Sequence, residues 1–159
     1  MNPGDVLKYG HRTLLDSLKG ISHEQMEIGD VCGAWSTRDV VAHLASYELF
    51  LDGVIGTFLG EPPNPTMIHI GEVGAGRFND LQVEMRKNKS VQEVLDEYNI
   101  ATERNLERVP MISAEVWRQA GTLPWYGMEY ALDDFIVYSF YGHKREHSAQ
   151  INIFKDTLK

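Results

Sequence analysis

His143 and His147 stand four residues apart in Tyr141-Gly142-His143-Lys144-Arg145-Glu146-His147. An α-helix repeats every ~3.6 residues, so side chains at i and i+4 leave one face a turn apart. Two imidazoles so placed can grip a single metal ion. His43 sits far upstream in a similar apolar setting. Three neutral nitrogen ligands leave a fourth position open, which suits chemistry rather than a structural clasp. A divalent ion held this way, such as Zn²⁺ or Ni²⁺, keeps its full charge. It would acidify water, polarise a carbonyl or stabilise a thiolate in the open position.

The elements that must position these residues are helices. The first is predicted from Asp5 to Lys19, with Val6, Leu7, Leu14, Leu15 and Leu18 on one stripe and Gly20 as its stop. Ile21 to Ala34 reads as a connector. Ser36 and Asp39 then form a capping box, with Trp35 and Val40 placed as a hydrophobic staple. Val40, Leu44, Tyr47, Leu51, Val54 and Phe58 recur at helical steps, and His43 shares their face. The prolines from Pro62 end this helix, and Gly60 to Gly76 is predicted to be a loop. A broken third helix follows, Arg77 to Lys87 and then Ser90 to about Val109, restarted by the Ser90/Glu93 capping box. Met111 to Met128 reads as a second loop with one turn from Ser113. The last helix is predicted from Glu129 to Leu158, with Leu132, Ile136, Phe140, His143, His147, Ile151, Phe154 and Leu158 inward. No strand alternation or internal repeat is evident. Residues 1–159 are therefore expected to form one all-α domain, an up-and-down four-helix bundle.

The totals exclude several functions. The formal net charge is −8, and no Lys/Arg cluster offers nucleic acid or an anionic membrane a purchase. The apolar run Val40 to Leu59 is broken by His43, Glu48 and Asp52, which a membrane span tolerates poorly. Cys32 is the only cysteine, so no internal disulfide forms, and a cytoplasmic location is expected. Its plainest reading is a half-buried small residue.

A polar group on an apolar stripe is costly unless it is paired. One such histidine is ordinarily a hydrogen-bonded core residue. An i,i+4 pair joined by a third imidazole favours a shared ion instead. Glu146 and Tyr47 are the weak catalytic candidates, Glu146 as base or outer acceptor and Tyr47 one turn beyond His43. Tyr47, Gln150 and His11 are candidates to line the pocket. Asp39 could orient His43, although capping already explains it. His23 and His69 read as surface or loop residues. His143-x-x-Glu146-His147 matches the inverted zinc-peptidase pattern, but no Glu or His follows it to supply the further ligand. A carboxylate-bridged di-iron bundle needs Glu-x-x-His on two helices, and none is found.

Trp35-Ser36-x-x-Asp39-Val40-x-x-His43-Leu44, with His143-x-x-x-His147-x-x-Gln150-Ile151 downstream, resembles the DinB-like (damage-inducible) superfamily along essentially the whole chain. The resemblance implies a four-helix bundle with a metal held by His43, His143 and His147 near one end. It also implies a homodimer and, in some members, transfer or isomerisation chemistry with a low-molecular-weight thiol such as bacillithiol or mycothiol. Fold does not fix reaction. Hydrolase or S-transferase chemistry on a small electrophilic substrate is one expectation, and a non-catalytic metal- or ligand-binding stress-response module is another. In a third, the histidines bind nothing and only hydrogen-bond.

Overall fold

The computed structural model describes all residues from Met1 to Lys159. It is all-helical, and its only β-type pairing is an isolated bridge between Cys32 and Trp35. α1 spans Pro3–Leu18, with Asn2 accepting from the Asp5 N–H and Pro3 in the first turn. α2, His23–Met26, is one turn closed by a Ser22/Gln25 capping box. α3, Thr37–Phe58, starts on the predicted Ser36/Asp39 box. α4 is Pro65–Val73, α5 Ala75–Met85 and α6 Val91–Arg108, the last begun by Ser90 and Glu93. α7, Ala114–Arg118, is the expected turn from Ser113. α8, Leu132–Ile136, leads through a π-helical segment at Val137–Gly142 into α9, His143–Thr157. No helix is long and apolar enough to cross a membrane.

The segment expected to be a loop up to Gly76 holds α4. Pro62 and Pro63 do stop α3, but Pro65 begins a helix rather than preventing one. Its missing N–H falls where a first turn has no partner anyway. Asn64 caps that turn by accepting from the Met67 N–H at 2.8 Å.

The connectivity also departs from an up-and-down order. Arg38, at the start of α3, donates to the Lys89 carbonyl just ahead of α6 at 3.0 Å. Farther along both helices, Asn105 donates to the Glu48 carbonyl at 2.9 Å and Arg104 pairs with Asp52. α3 and α6 therefore run parallel, because α4 and α5 carry the chain back between them. α1 and α9 are parallel as well. Lys144 lies against Gly10, and the Lys155 ammonium reaches the Ser17 carbonyl at 3.2 Å. α3 and α9 are antiparallel, with Glu48 beside Lys144 and His43 beside His147.

Two apolar clusters fill the interior. One gathers Leu7, Leu51, Val54, Leu132 and Phe140, and the other Leu14, Val40, Leu44, Val94 and Ile151. Between them lies a polar layer. Glu48 and Lys144, 1% and 2% exposed, form an ion pair there. Asn105 donates to Glu48 at 2.9 Å, and the Tyr98 hydroxyl meets His11 Nδ1 at 3.1 Å.

The π segment sets which side chains face that layer. Each helical residue turns the chain by ~100°, so on an unbroken helix Lys144 would point about 120° away from Leu132. One extra residue in a widened turn takes back about 100°. Lys144, Ser148 and Ile151 are accordingly buried, in phase with Leu132 and Ile136. His143, expected at the centre of the stripe, moves toward its edge and is half-buried.

Candidate metal centre

α3 brings His43 to the site, and α9 brings His143 and His147. The capping box fixes the start of α3. Buried Arg38 reinforces it by donating to the Lys89 carbonyl. Trp35 packs its ring 5.0 Å from that of His43. The three histidines meet in one cluster, His43 coming from a hundred residues upstream of His143. His43 Nε2 lies 2.8 Å from His143 Nε2, which lies 3.0 Å from His147 Nε2. One ring nitrogen from each falls within 4.8 Å of the others, so the group could hold a metal ion.

The electrostatics suit ligation. Burial lowers the His43 imidazole to about 2, with the neighbouring His143 and His147 adding to it. Burial also lowers His143 to about 4, helped by His147 and Lys144 and opposed by a hydrogen bond to the Ser139 backbone. His147 is lowered by burial against the opposing effects of Gln150 and Glu146. At neutral pH all three rings are therefore neutral, the form that binds metal.

Orientation is fixed from behind the cluster. His147 Nδ1 donates to the Gln150 side-chain oxygen at 2.8 Å, leaving the Nε2 lone pair for the centre. His43 Nδ1 is buried without a partner. Tetrahedral bonds of ~2.0–2.1 Å place ligand nitrogens ~3.3 Å apart, so small side-chain shifts would admit an ion. Three convergent neutral imidazoles, one of them oriented by an amide, make a donor set that could hold a metal ion.

The other sequence candidates divide. The Tyr47 ring packs 4.9 Å from both His43 and His143, and its hydroxyl donates to Asn79 at 3.1 Å. Glu146 is exposed and borders a depression of about 310 Å³ with His143, Tyr47, Tyr138, Ser139 and Gly142. Gln150 acts on His147 rather than lining that opening. His11 turns away to Tyr98 in the polar layer. Asp39 caps Ser36 and pairs with Arg38. Cys32 packs at the edge of the second apolar cluster. His69 meets Gln82 at 3.0 Å on the far side of Phe78. The largest cavity, about 590 Å³ between the N-terminus and residues 106–118, contains none of the histidines.

Comparison with protein-family models, curated proteins and solved structures finds no match to this chain. The residues themselves carry the functional argument.

Sequence reasoning missed Asn79, Ser139 and the Glu48–Lys144 pair. The interruption of the Val40–Leu59 run by Glu48 was a visible signal. Its partner was hidden by the π segment, which moves Lys144 inward.

The lowered histidines make the metal-free protein pH-sensitive. Their folded values lie below the ordinary 6.5, so the unfolded chain takes up protons first as pH falls. Stability is complete above pH ~6.5 and declines toward pH ~4 by about 1.4 kcal/mol per pH unit for each ring kept neutral. Urea midpoints of metal-free protein from pH 7.5 to 4.5 measure this, with His43→Phe expected to flatten the slope. Equal slopes in the two proteins would contradict the assignment.

Proposed function

We propose that this chain is a divalent-metal-dependent enzyme of the DinB-like superfamily, acting on a small electrophilic substrate with water or a low-molecular-weight thiol as nucleophile. His43, His143 and His147 would hold the ion, zinc or nickel. The supporting observation is that three neutral imidazoles converge beside an opening bordered by His143, Tyr47 and Glu146, with no fourth Cys, His, Asp or Glu in the ligand group. When bound, the ion supplies Lewis acidity toward a nucleophile or a carbonyl.

The chain's own residues supply the rest. Gln150 holds the His147 ring in the ligating tautomer. Tyr47, fixed by Asn79, walls one side of the cluster. Glu146, exposed at the rim, is the group placed to exchange protons with solvent. The bundle geometry and the Trp35-to-His43 and His143-to-Gln150 spacings support the superfamily reading.

The test uses full-length protein purified without a polyhistidine tag. Metal analysis should return close to one equivalent of zinc or nickel. Bacillithiol and mycothiol are then assayed against alkyl and aryl electrophiles, and water against activated esters, each with and without chelation. Metal-dependent turnover in either panel is expected. Stoichiometric metal with no turnover in both panels would sink the enzymatic reading and leave a metal-stabilised module.

A further inference from the structure

Tyr47 and Ser139 border not only the opening at His143 but also a separate cavity of about 480 Å³. Its walls are Phe50, Trp125 and Phe135 on one side and Met67 and Ile70 of α4 on the other, and no charged side chain lines it. Phe50 and Phe135 are 7% and 2% exposed, held by the apolar core behind them. Trp125 lies 5.9 Å from Phe50 and 5.5 Å from Phe135, centroid to centroid, and is 54% exposed at the mouth. Buried rings below an exposed indole make a preformed apolar slot. The Tyr47 hydroxyl at its border is already engaged by Asn79.

The occupant follows from size, charge and continuity. Small-molecule pockets span ~300–1,000 Å³, and a dry apolar cavity of ~150 Å³ is enough for benzene. The present volume suits a one- or two-ring group, and edge-to-face contacts with three aromatic walls favour a flat one. A charged group would be desolvated there without a partner. The cavity meets the histidine cluster across the single ring of Tyr47, whose centroid is 4.9 Å from that of His143.

We propose that this cavity binds the uncharged, aromatic portion of the substrate, with the reactive group directed past Tyr47 toward His43, His143 and His147. The proposal rests on the reading of the cluster given above for its second half only. The substrate class is thus an electrophile carrying a neutral ring system. An anionic thiol finds no counter-charge in this cavity.

Calorimetry on the full chain tests it. In metal-free protein, 2-naphthol is expected to bind at least tenfold more tightly than 2-naphthoate, which has the same rings and a carboxylate. In zinc-loaded protein, 2-naphthohydroxamate should bind at least tenfold more tightly than acetohydroxamate. Ile70→Asp should weaken 2-naphthol tenfold or more while zinc uptake is unchanged. Ala75→Trp, at an exposed position lining the cavity, should do the same if Ile70→Asp disturbs α4. Equal or absent binding of the two naphthalene probes overturns the proposal. So does a dimer, seen by sedimentation, that Ile70→Asp dissociates in a chain that binds no naphthol. Naphthol binding without any zinc or nickel uptake would keep the cavity and refute the metal reading, so the two failures are distinguishable.

Discussion

His143→Ala is expected to abolish stoichiometric zinc and nickel uptake, and metal-dependent turnover with it. His143 occupies the middle of the cluster, with its Nε2 2.8 Å from that of His43 and 3.0 Å from that of His147. Removing it leaves only two imidazoles, one from each helix, too few to complete the three-nitrogen group. Gln150→Ala provides the graded comparison, because it removes only the acceptor behind His147. Loss of such an outer partner typically weakens metal binding ~10–100-fold. The expected order of affinity is wild type, then Gln150→Ala, then His143→Ala with no measurable site. Competition against a chromophoric chelator reads all three. One tightly held equivalent in His143→Ala would remove the proposed centre.

The second large effect lies in the polar layer. Glu48 and Lys144 are almost fully buried, one carboxylate oxygen facing the ammonium and the other accepting from Asn105. Removing one partner of such a pair strands the other charge in the interior, a loss of ~3–5 kcal/mol. Lys144→Met and Glu48→Gln should each lower the unfolding free energy by that much, read from urea unfolding curves. The double variant Glu48→Gln/Lys144→Met should recover most of it, since no charge is then left unpaired. Additive losses in the double variant would mean that the two side chains are not coupled. Lys144 also adjoins His143 in sequence, so the single variants are expected to loosen metal binding where the double variant does not.

Much of this was legible in the residues. The Ser36/Asp39 and Ser90/Glu93 boxes announce the starts of α3 and α6 because a cap is a local hydrogen-bond exchange, complete within four residues. The meeting of His43 with the downstream pair was legible because His43 and His147 sit on faces that have to be buried, and His143 stands one turn before His147. The helix at Pro65 was not, because Pro62, Pro63 and Pro65 give one strong signal for a break and only Asn64 marks a restart. The parallel pairing of α3 with α6 was hidden for the same reason, since a connection read as loop leaves direction undetermined. The charge pair stayed out of view because an uninterrupted 3.6-residue count places Lys144 outside the stripe.

The widened turn at Val137–Gly142 acts as a coupling between two stretches of one helix, locking the angle of the second to that of the first. Leu132 to Ile136 are tuned to the hydrocarbon interior, and His143 to Ile151 to the imidazole cluster and the buried charges. Deleting one residue from that turn would swing the second part round by about 100° and carry Lys144 out of the interior.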